Sequence, residues 1–337
     1  MLVVMSADAT PSQVSAVTDK IHSLGFTPQV GQGGTRTVVV VSGNHGLEGR
    51  EALLRLPGVE EVLRTTPPYK LAARDAHSGP STFPVAGTRI GGGCTLIAGP
   101  CSVESERMLL ETATFMTRLG VKLLRAGAYK PRTSPYSFQG LGEEGLRLLA
   151  KVKEQTNIGI VTEVLDAEAV ARVEEVADVL QVGTRNMQNT TLLRRLGAAR
   201  RPVLLKRGMA ATVDEWLLAA EYVLAGGNPR VILCERGIRT AVDHPYATLD
   251  LGVIPIVKQR SHLPIIVDPS HGTGRAAFVP AMGRAALAAG ADGLLIEVHP
   301  DPVNARSDGQ QSLTFDEFEQ LHRALRSLAD ALGVALL

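Results

Sequence analysis

Cys101, His271, Glu297 and Asp308 are the residues of this sequence best suited to hold a metal ion. A thiolate, an imidazole and two carboxylates form a mixed donor set, which suits Mn, Fe, Co or Zn better than Mg or Ca. Their spacing says little, unlike a paired C-x-x-C, and Cys101 alone reads equally well as a small apolar filler beside Pro100. His271, within DPSHGTGR, is harder to read as a core histidine. A second set is cationic: Arg125, Lys130, Arg132, Arg185, Lys206 and Arg236. Gathered at one opening these would repel one another, so a phosphate-bearing ligand is their natural complement. Gly127, Gly183, Gly208 and Gly272 would let backbone approach such a ligand closely. Neither GxxxxGK[ST] nor GxGxxG occurs, which argues against a nucleotide-type phosphate loop.

These residues can act together only if the fold gathers them. From about residue 91, eight short apolar runs recur, each followed by a helical stretch: TLIAGP, KLLRAGA, GIVTEVL, VLQVGT, PVLLKRG, VILCERG, PIIVDPS and GLLIEV. Near-continuous apolarity suits strands buried on both faces, and the count predicts a (β/α)8 barrel over 91–337. A doubly wound open sheet is the alternative. The polar residues fall at the ends of the runs, which in a barrel converge on one face.

Before the barrel, apolar periodicity predicts β1 at Leu2–Met5, a helix using Val14, Val17, Ile21 and Leu24, and a weaker strand near Gln29. Strands at Arg36–Val41 and Val59–Leu63 and a helix at Glu48–Leu56 complete a βαββαβ order, a small α+β ferredoxin-like unit over 1–66. Residues 67–90, rich in Pro, Gly, Ser and Thr, read as a linker with little core of its own.

Composition excludes other classes. A net charge of +1 gives no general attraction to nucleic acid or acidic membranes, and 4% aromatics leave no base-stacking platform. Three cysteines suit reduced thiols in the cytoplasm better than a disulfide framework. MLVVMSADAT lacks the features of a signal peptide, and no apolar run approaches the ~20 residues of a membrane span.

The longer motifs resemble the beta subgroup of type I 3-deoxy-D-arabino-heptulosonate 7-phosphate (DAHP) synthases: IAGPCSVES (97–105), RAGAYKPRTSPYSFQGLG (125–142), QVGTRNMQN (181–189), LLKRGM (204–209), LCERGIRT (233–240), VDPSHGTGR (267–275) and EVHPDPVNARSDGQQSL (297–313). The resemblance covers the whole barrel. It implies condensation of phosphoenolpyruvate with erythrose 4-phosphate and water, giving DAHP and phosphate, the entry step to aromatic amino acids. It also implies one divalent ion on Cys101, His271, Glu297 and Asp308. Phosphoenolpyruvate would then be held by Arg125, Lys130, Arg185, Lys206 and Arg236, with backbone from Gly183 and Thr184. Erythrose 4-phosphate would meet Lys130, Pro131, Arg132, Thr133 and Ser134, with Asp268 near the aldehyde. The catalytic set becomes Lys130, Glu163, His271 and Cys101, with the proton handling open between Lys130 and Glu163.

Residues 1–66 resemble the regulatory domain of some of these enzymes, which implies an aromatic amino acid effector; an assembly role competes with that. The family's habit implies a homotetramer in the cytoplasm, and no chorismate mutase domain is visible. Thr184 stands where the family often has Ala, a change that leaves backbone contacts intact. The stretch Gln29–Gly34 is glycine-rich and short of side-chain donors, so the effector site is not specified in detail. Rival readings are a 3-deoxy-D-manno-octulosonate 8-phosphate synthase, from which the KPRTS segment distinguishes this chain, and a non-catalytic sensor of aromatic amino acids.

Overall fold

The structure is a computed structural model describing residues 1–337 apart from 34–35, 45–46, 66, 133 and 244–245, and apart from the side chains of 32 and 33. It divides into two compact units, Met1–Lys70 and Leu71–Leu337.

In the first unit, β1 (Leu2–Met5), α1 (Pro11–Ser23), β2 (Thr27–Gly33), β3 (Arg36–Ser42), α2 (Arg50–Leu54) and β4 (Val59–Leu63) follow the expected βαββαβ order. The antiparallel sheet runs β2-β3-β1-β4. Alternation along β1 and β3 turns Val3, Met5, Val39 and Val41 to one face, where Val17 and Ile21 of α1 and Leu53 of α2 cover them. Thr10 starts α1 with a capping box: its hydroxyl accepts from the Gln13 N–H, and the Gln13 side chain accepts from the Thr10 N–H. α2 is shorter than its apolar pattern suggests because Gly49, at φ 78°, sets where the helix begins. Gly34 of the glycine-rich stretch lies outside the described residues.

The second unit begins with a hairpin rather than featureless linker. β5 (Phe83–Val85) and β6 (Thr88–Ile90) pair antiparallel through a two-residue turn, Ala86 and Gly87, both at positive φ. Phe83, Val85 and Ile90 belong to one buried cluster with Ile97, Leu123 and Val179 of the barrel. The hairpin sits against the N-terminal ends of the strands. A methyl added at Gly159, the first residue of its strand, would collide with Ala86.

The barrel strands are β7 (Thr95–Gly99), β8 (Leu123–Arg125), β9 (Gly159–Glu163), β10 (Val179–Val182), β11 (Val203–Lys206), β12 (Val231–Glu235), β13 (Ile265–Val267) and β14 (Gly293–Glu297). All pair parallel, and β14 closes on β7. Every residue in these strands is buried, which is why they read as apolar runs rather than alternating ones. Around them lie α3 (Glu106–Arg118), α4 (Glu143–Thr156), α5 (Val170–Val176), α6 (Thr190–Gly197), α7 (Val213–Ala225) and α8 (Val253–Arg260). The short α9 (Pro269–Thr273), α10 (Val279–Ala288) and α11 (Phe315–Leu332) complete the ring. The fold is a (β/α)8 barrel preceded by a ferredoxin-like unit. Among the described residues, no helix is long and apolar enough to cross a membrane.

Candidate active site

The C-terminal ends of the strands carry the chemistry. Cys101 follows β7 by two residues, and Glu297 is the last residue of β14. His271 is placed by Asp268, whose carboxylate caps α9 by accepting the His271 N–H at 2.9 Å. Asp308 comes from the loop beyond β14. One donor atom from each of the four lies within 4.8 Å of the others.

Cys101 Sγ donates to Asp308 Oδ2 at 2.8 Å and accepts from Lys130 Nζ at 2.9 Å. His271 Nε2 lies 3.5 Å from Glu297 Oε1. Metal–ligand bonds of about 2.0–2.3 Å place neighbouring donors roughly 3–4.5 Å apart, so the cluster is close to the size a cation requires. Sulfur, imidazole and two carboxylates converge, and the four could hold a metal ion.

Outer partners orient these donors. Arg125 donates to Glu297 Oε1 at 2.8 Å, and Gln311 donates to Glu297 Oε2 at 2.6 Å. His271 Nδ1 lies 2.8 Å from Asp268 Oδ2, off the line of a hydrogen bond. Lys206 donates to the same Asp268 oxygen at 2.7 Å. A carboxylate behind an imidazole is the usual support for a metal-bound histidine.

The charges follow from burial and neighbours. Burial, with Glu297 adding to it, pushes the Cys101 thiol up to about 12 without a cation present. Burial lowers the His271 pKa although Asp268 and Glu297 oppose the shift. Burial works against the Asp268 carboxylate, yet His271 and Lys206 outweigh it and hold its pKa well below the usual range.

An open cavity of about 640 Å³ lies over this cluster, and His271 and Asp308 reach its wall. Lys130, Arg132, Arg185, Lys206 and Arg236 face it, as do Pro131, Ser134, Thr184 and Glu163. Gln181 donates to Glu163 Oε2 at 3.1 Å. Gly183 must lack a side chain because the Glu163 carboxylate occupies the space its Cβ would take. A family model described as "DAHP synthetase I family" matches residues 75–333.

The chain belongs to the DAHP synthetase I family. Residues 1–66 match a second model, the DAHP synthase ferredoxin-like domain. A phospho-2-dehydro-3-deoxyheptonate aldolase of Thermotoga maritima is 46% identical over 335 residues, covering 99% of each chain. The crystal structure of a Thermotoga maritima protein of that name superposes with a TM-score of 0.90 at 44% identity, covering 100% of this chain and 99% of that one. A 2-dehydro-3-deoxyphosphooctonate aldolase of Acidithiobacillus ferrooxidans is 34% identical over 251 residues, 69% of this chain and 88% of its own.

In this DAHP synthetase family member, two residues expected at the substrates are buried beside other side chains. Arg125 is buried behind Glu297, also donating to the Pro100 carbonyl at 2.9 Å, and Asp268 is buried behind His271. Thr133 lies outside the described residues. Other lining residues went unnoticed in the sequence: Ser137, Met209, Arg239, Tyr246, Gln310 and Gln311. Met209 and Tyr246 brace Arg236, through a contact from Nη1 to Sδ at 2.7 Å and a guanidinium 5.7 Å from the ring centre. Arg239 lies within LCERGIRT, where nothing set it apart from its neighbours. Arg207, beside Lys206, turns away to Glu235 and Asp250, each at 3.0 Å.

Proposed function

We propose that the protein is a 3-deoxy-7-phosphoheptulonate synthase that joins phosphoenolpyruvate to erythrose 4-phosphate at this cavity. The carrying observation is that His271 and Asp308 of the four-donor cluster line the same cavity as Lys130, Arg185, Lys206 and Arg236. A divalent ion of the Mn, Fe, Co or Zn class would be held by Cys101, His271, Glu297 and Asp308. When bound, it supplies Lewis acidity to the aldehyde oxygen.

The reaction makes one carbon–carbon bond and one carbon–oxygen bond, and breaks another carbon–oxygen bond. C3 of phosphoenolpyruvate adds to the aldehyde carbon, water adds at C2, and the C2–O bond to phosphate breaks. Arg185, Lys206 and Arg236 hold the phosphate and carboxylate of phosphoenolpyruvate, with the Gly183–Thr184 backbone alongside. Arg125 acts from behind, fixing Glu297, and Asp268 fixes Lys206 and His271. Arg132 and Ser134, with Lys130 and Pro131, line the side where the second phosphate would lie. Lys130 and Glu163 are the groups at hand for proton transfer to the new alcohol and from the water.

Synthesis with purified, metal-reconstituted protein, reading phosphate release with erythrose 4-phosphate against arabinose 5-phosphate, tests this. Erythrose 4-phosphate should be preferred. A strong preference for arabinose 5-phosphate would favour the octulosonate reading, which the 34% identical relatives keep in view. The ferredoxin-like unit supports a sensing role for residues 1–66, with an aromatic amino acid as effector, in a cytoplasmic homotetramer. Deleting 1–66 should leave turnover and remove inhibition by Tyr or Phe; inhibition that persists would end the sensing role. A Thermotoga maritima DAHP synthase is known in truncated form and matches 80% of this chain, which supports a barrel that folds alone.

A further inference from the structure

Asp308 reaches the donor cluster from a long loop between β14 and α11, and it sits at φ 52°, a left-handed backbone that few residues other than glycine adopt. Several contacts pin this loop to the one after β7 that carries Cys101. Ser102 Oγ and Ser307 Oγ are 2.6 Å apart and buried. The Arg306 N–H donates to Glu104 Oε1 at 2.9 Å. His299 Nε2 lies 3.5 Å from Glu104 Oε2. The tautomer of His299 follows from its other nitrogen: Nδ1 accepts the Asp301 N–H at 3.0 Å, so a neutral ring carries its proton on Nε2. That Nε2 is buried and has no hydrogen-bond partner, so the Glu104 carboxylate is the acceptor it faces. Glu104 is itself only 10% exposed. It does not reach the cavity wall.

We propose that Glu104 is a positioning residue for the metal centre: one carboxylate clasps the Asp308 loop at two points and so sets where Asp308 meets Cys101. One oxygen holds Arg306, two residues before Asp308, and the other faces His299, two residues after Glu297. Removing it frees Asp308 to leave its left-handed conformation, which weakens hold on the cation without altering any group that contacts substrate. This inference rests on the reading of Cys101, His271, Glu297 and Asp308 as a metal centre.

The test is cobalt(II) titration of metal-free full-length protein, following the thiolate-to-metal absorption band, in the parent, Glu104→Ala, Glu104→Gln and Lys153→Ala. Partners one layer outside a metal site typically contribute about 10–100-fold to affinity, so Glu104→Ala should raise the cobalt Kd by about tenfold or more. Glu104→Gln keeps one acceptor for Arg306 but presents N–H to His299, and should fall between Ala and parent. At saturating cobalt, KM for phosphoenolpyruvate should stay near the parent value. Lys153→Ala removes an ion pair to Asp178 away from these loops; it controls for general loss of stability and should leave cobalt affinity unchanged. Parent-like cobalt affinity in both Glu104 variants would overturn the proposal, as would equal weakening in Lys153→Ala. If Glu104→Ala does not fold, the Gln variant decides alone. A parent that binds cobalt with no thiolate band would remove the metal reading itself, and this inference with it.

Discussion

The two ends of the barrel are built from the same eight strands and differ in almost everything else. The strands begin on Thr95, Leu123, Gly159, Val179, Val203, Val231, Ile265 and Gly293, none of them charged. They end on Gly99, Arg125, Glu163, Val182, Lys206, Glu235, Val267 and Glu297, five of which are Arg, Lys or Glu. At the first end, Phe83, Val85 and Ile90 seal the core. At the second, the polar strand ends have partners: Arg125 with Glu297, Lys206 with Asp268, Glu235 with Arg207, and Glu163 with Gln181. Buried pairs of this kind contribute little net stability, because desolvation offsets their attraction. Apolar burial at the hairpin end therefore contributes more to stability than the paired charges at the other end.

That division can be broken from either side. Cys101→Ala should have the largest effect. Because partners one layer out from a metal already matter by about 10–100-fold, loss of a ligand should cut turnover by more than about 100-fold. Its melting temperature in metal-free form should stay close to the parent, since alanine fills a similar buried space. Undiminished activity in a chelator-treated and reconstituted variant would defeat the ligand assignment. Phe83→Ala should do the reverse. Truncating a buried phenylalanine costs about 3–5 kcal/mol, seen in denaturant unfolding, while kcat in the cold stays near the parent value. A Phe83→Ala protein with lost turnover but parental stability would mean the two ends are not separable.

The eight strands were legible because burial on both faces writes itself as apolar runs, and the strand-end residues were legible because charge there has no packing rationale. The hairpin was not. Its strands are three residues each, interrupted by Pro84 and joined at Gly87, a composition indistinguishable from a linker until Phe83, Val85 and Ile90 are found in the core. Within the site, sequence located Arg125 and Asp268 on the right face but could not tell that they pair with Glu297 and with Lys206 and His271. Which neighbour a buried charge chooses depends on partners 172 and 62 residues away, Glu297 for Arg125 and Lys206 for Asp268. Gln311 and Glu104 looked like any polar loop residues for the same reason. Their roles come from contacts that no local pattern encodes.

The smallest predicted effect concerns how the hairpin end is fastened. His262 is buried there, with Nε2 donating to the Leu71 carbonyl at 2.7 Å and Nδ1 accepting from the Ser81 hydroxyl at 2.7 Å, so it ties the segment before the hairpin to the barrel. Both bonds are met by the neutral ring. Burial holds its pKa below the usual imidazole value; nearby His77 and Arg74 push the same way, while the Leu71 bond and Glu221 oppose. An unfolded histidine takes up its proton near pH ~6.5, whereas the folded one resists. The stability contributed by His262 is therefore complete above that pH and declines as pH falls through the folded value. Melting temperatures of the parent and His262→Gln should differ most at about pH 7.5 and converge toward about pH 5.5, with kcat at the higher pH alike in both. Carboxylates throughout the protein also lose stability in acid, but they do so in both proteins, so the gap isolates the imidazole. A gap that stays constant across that range would mean the fastening is steric and not a matter of the neutral ring.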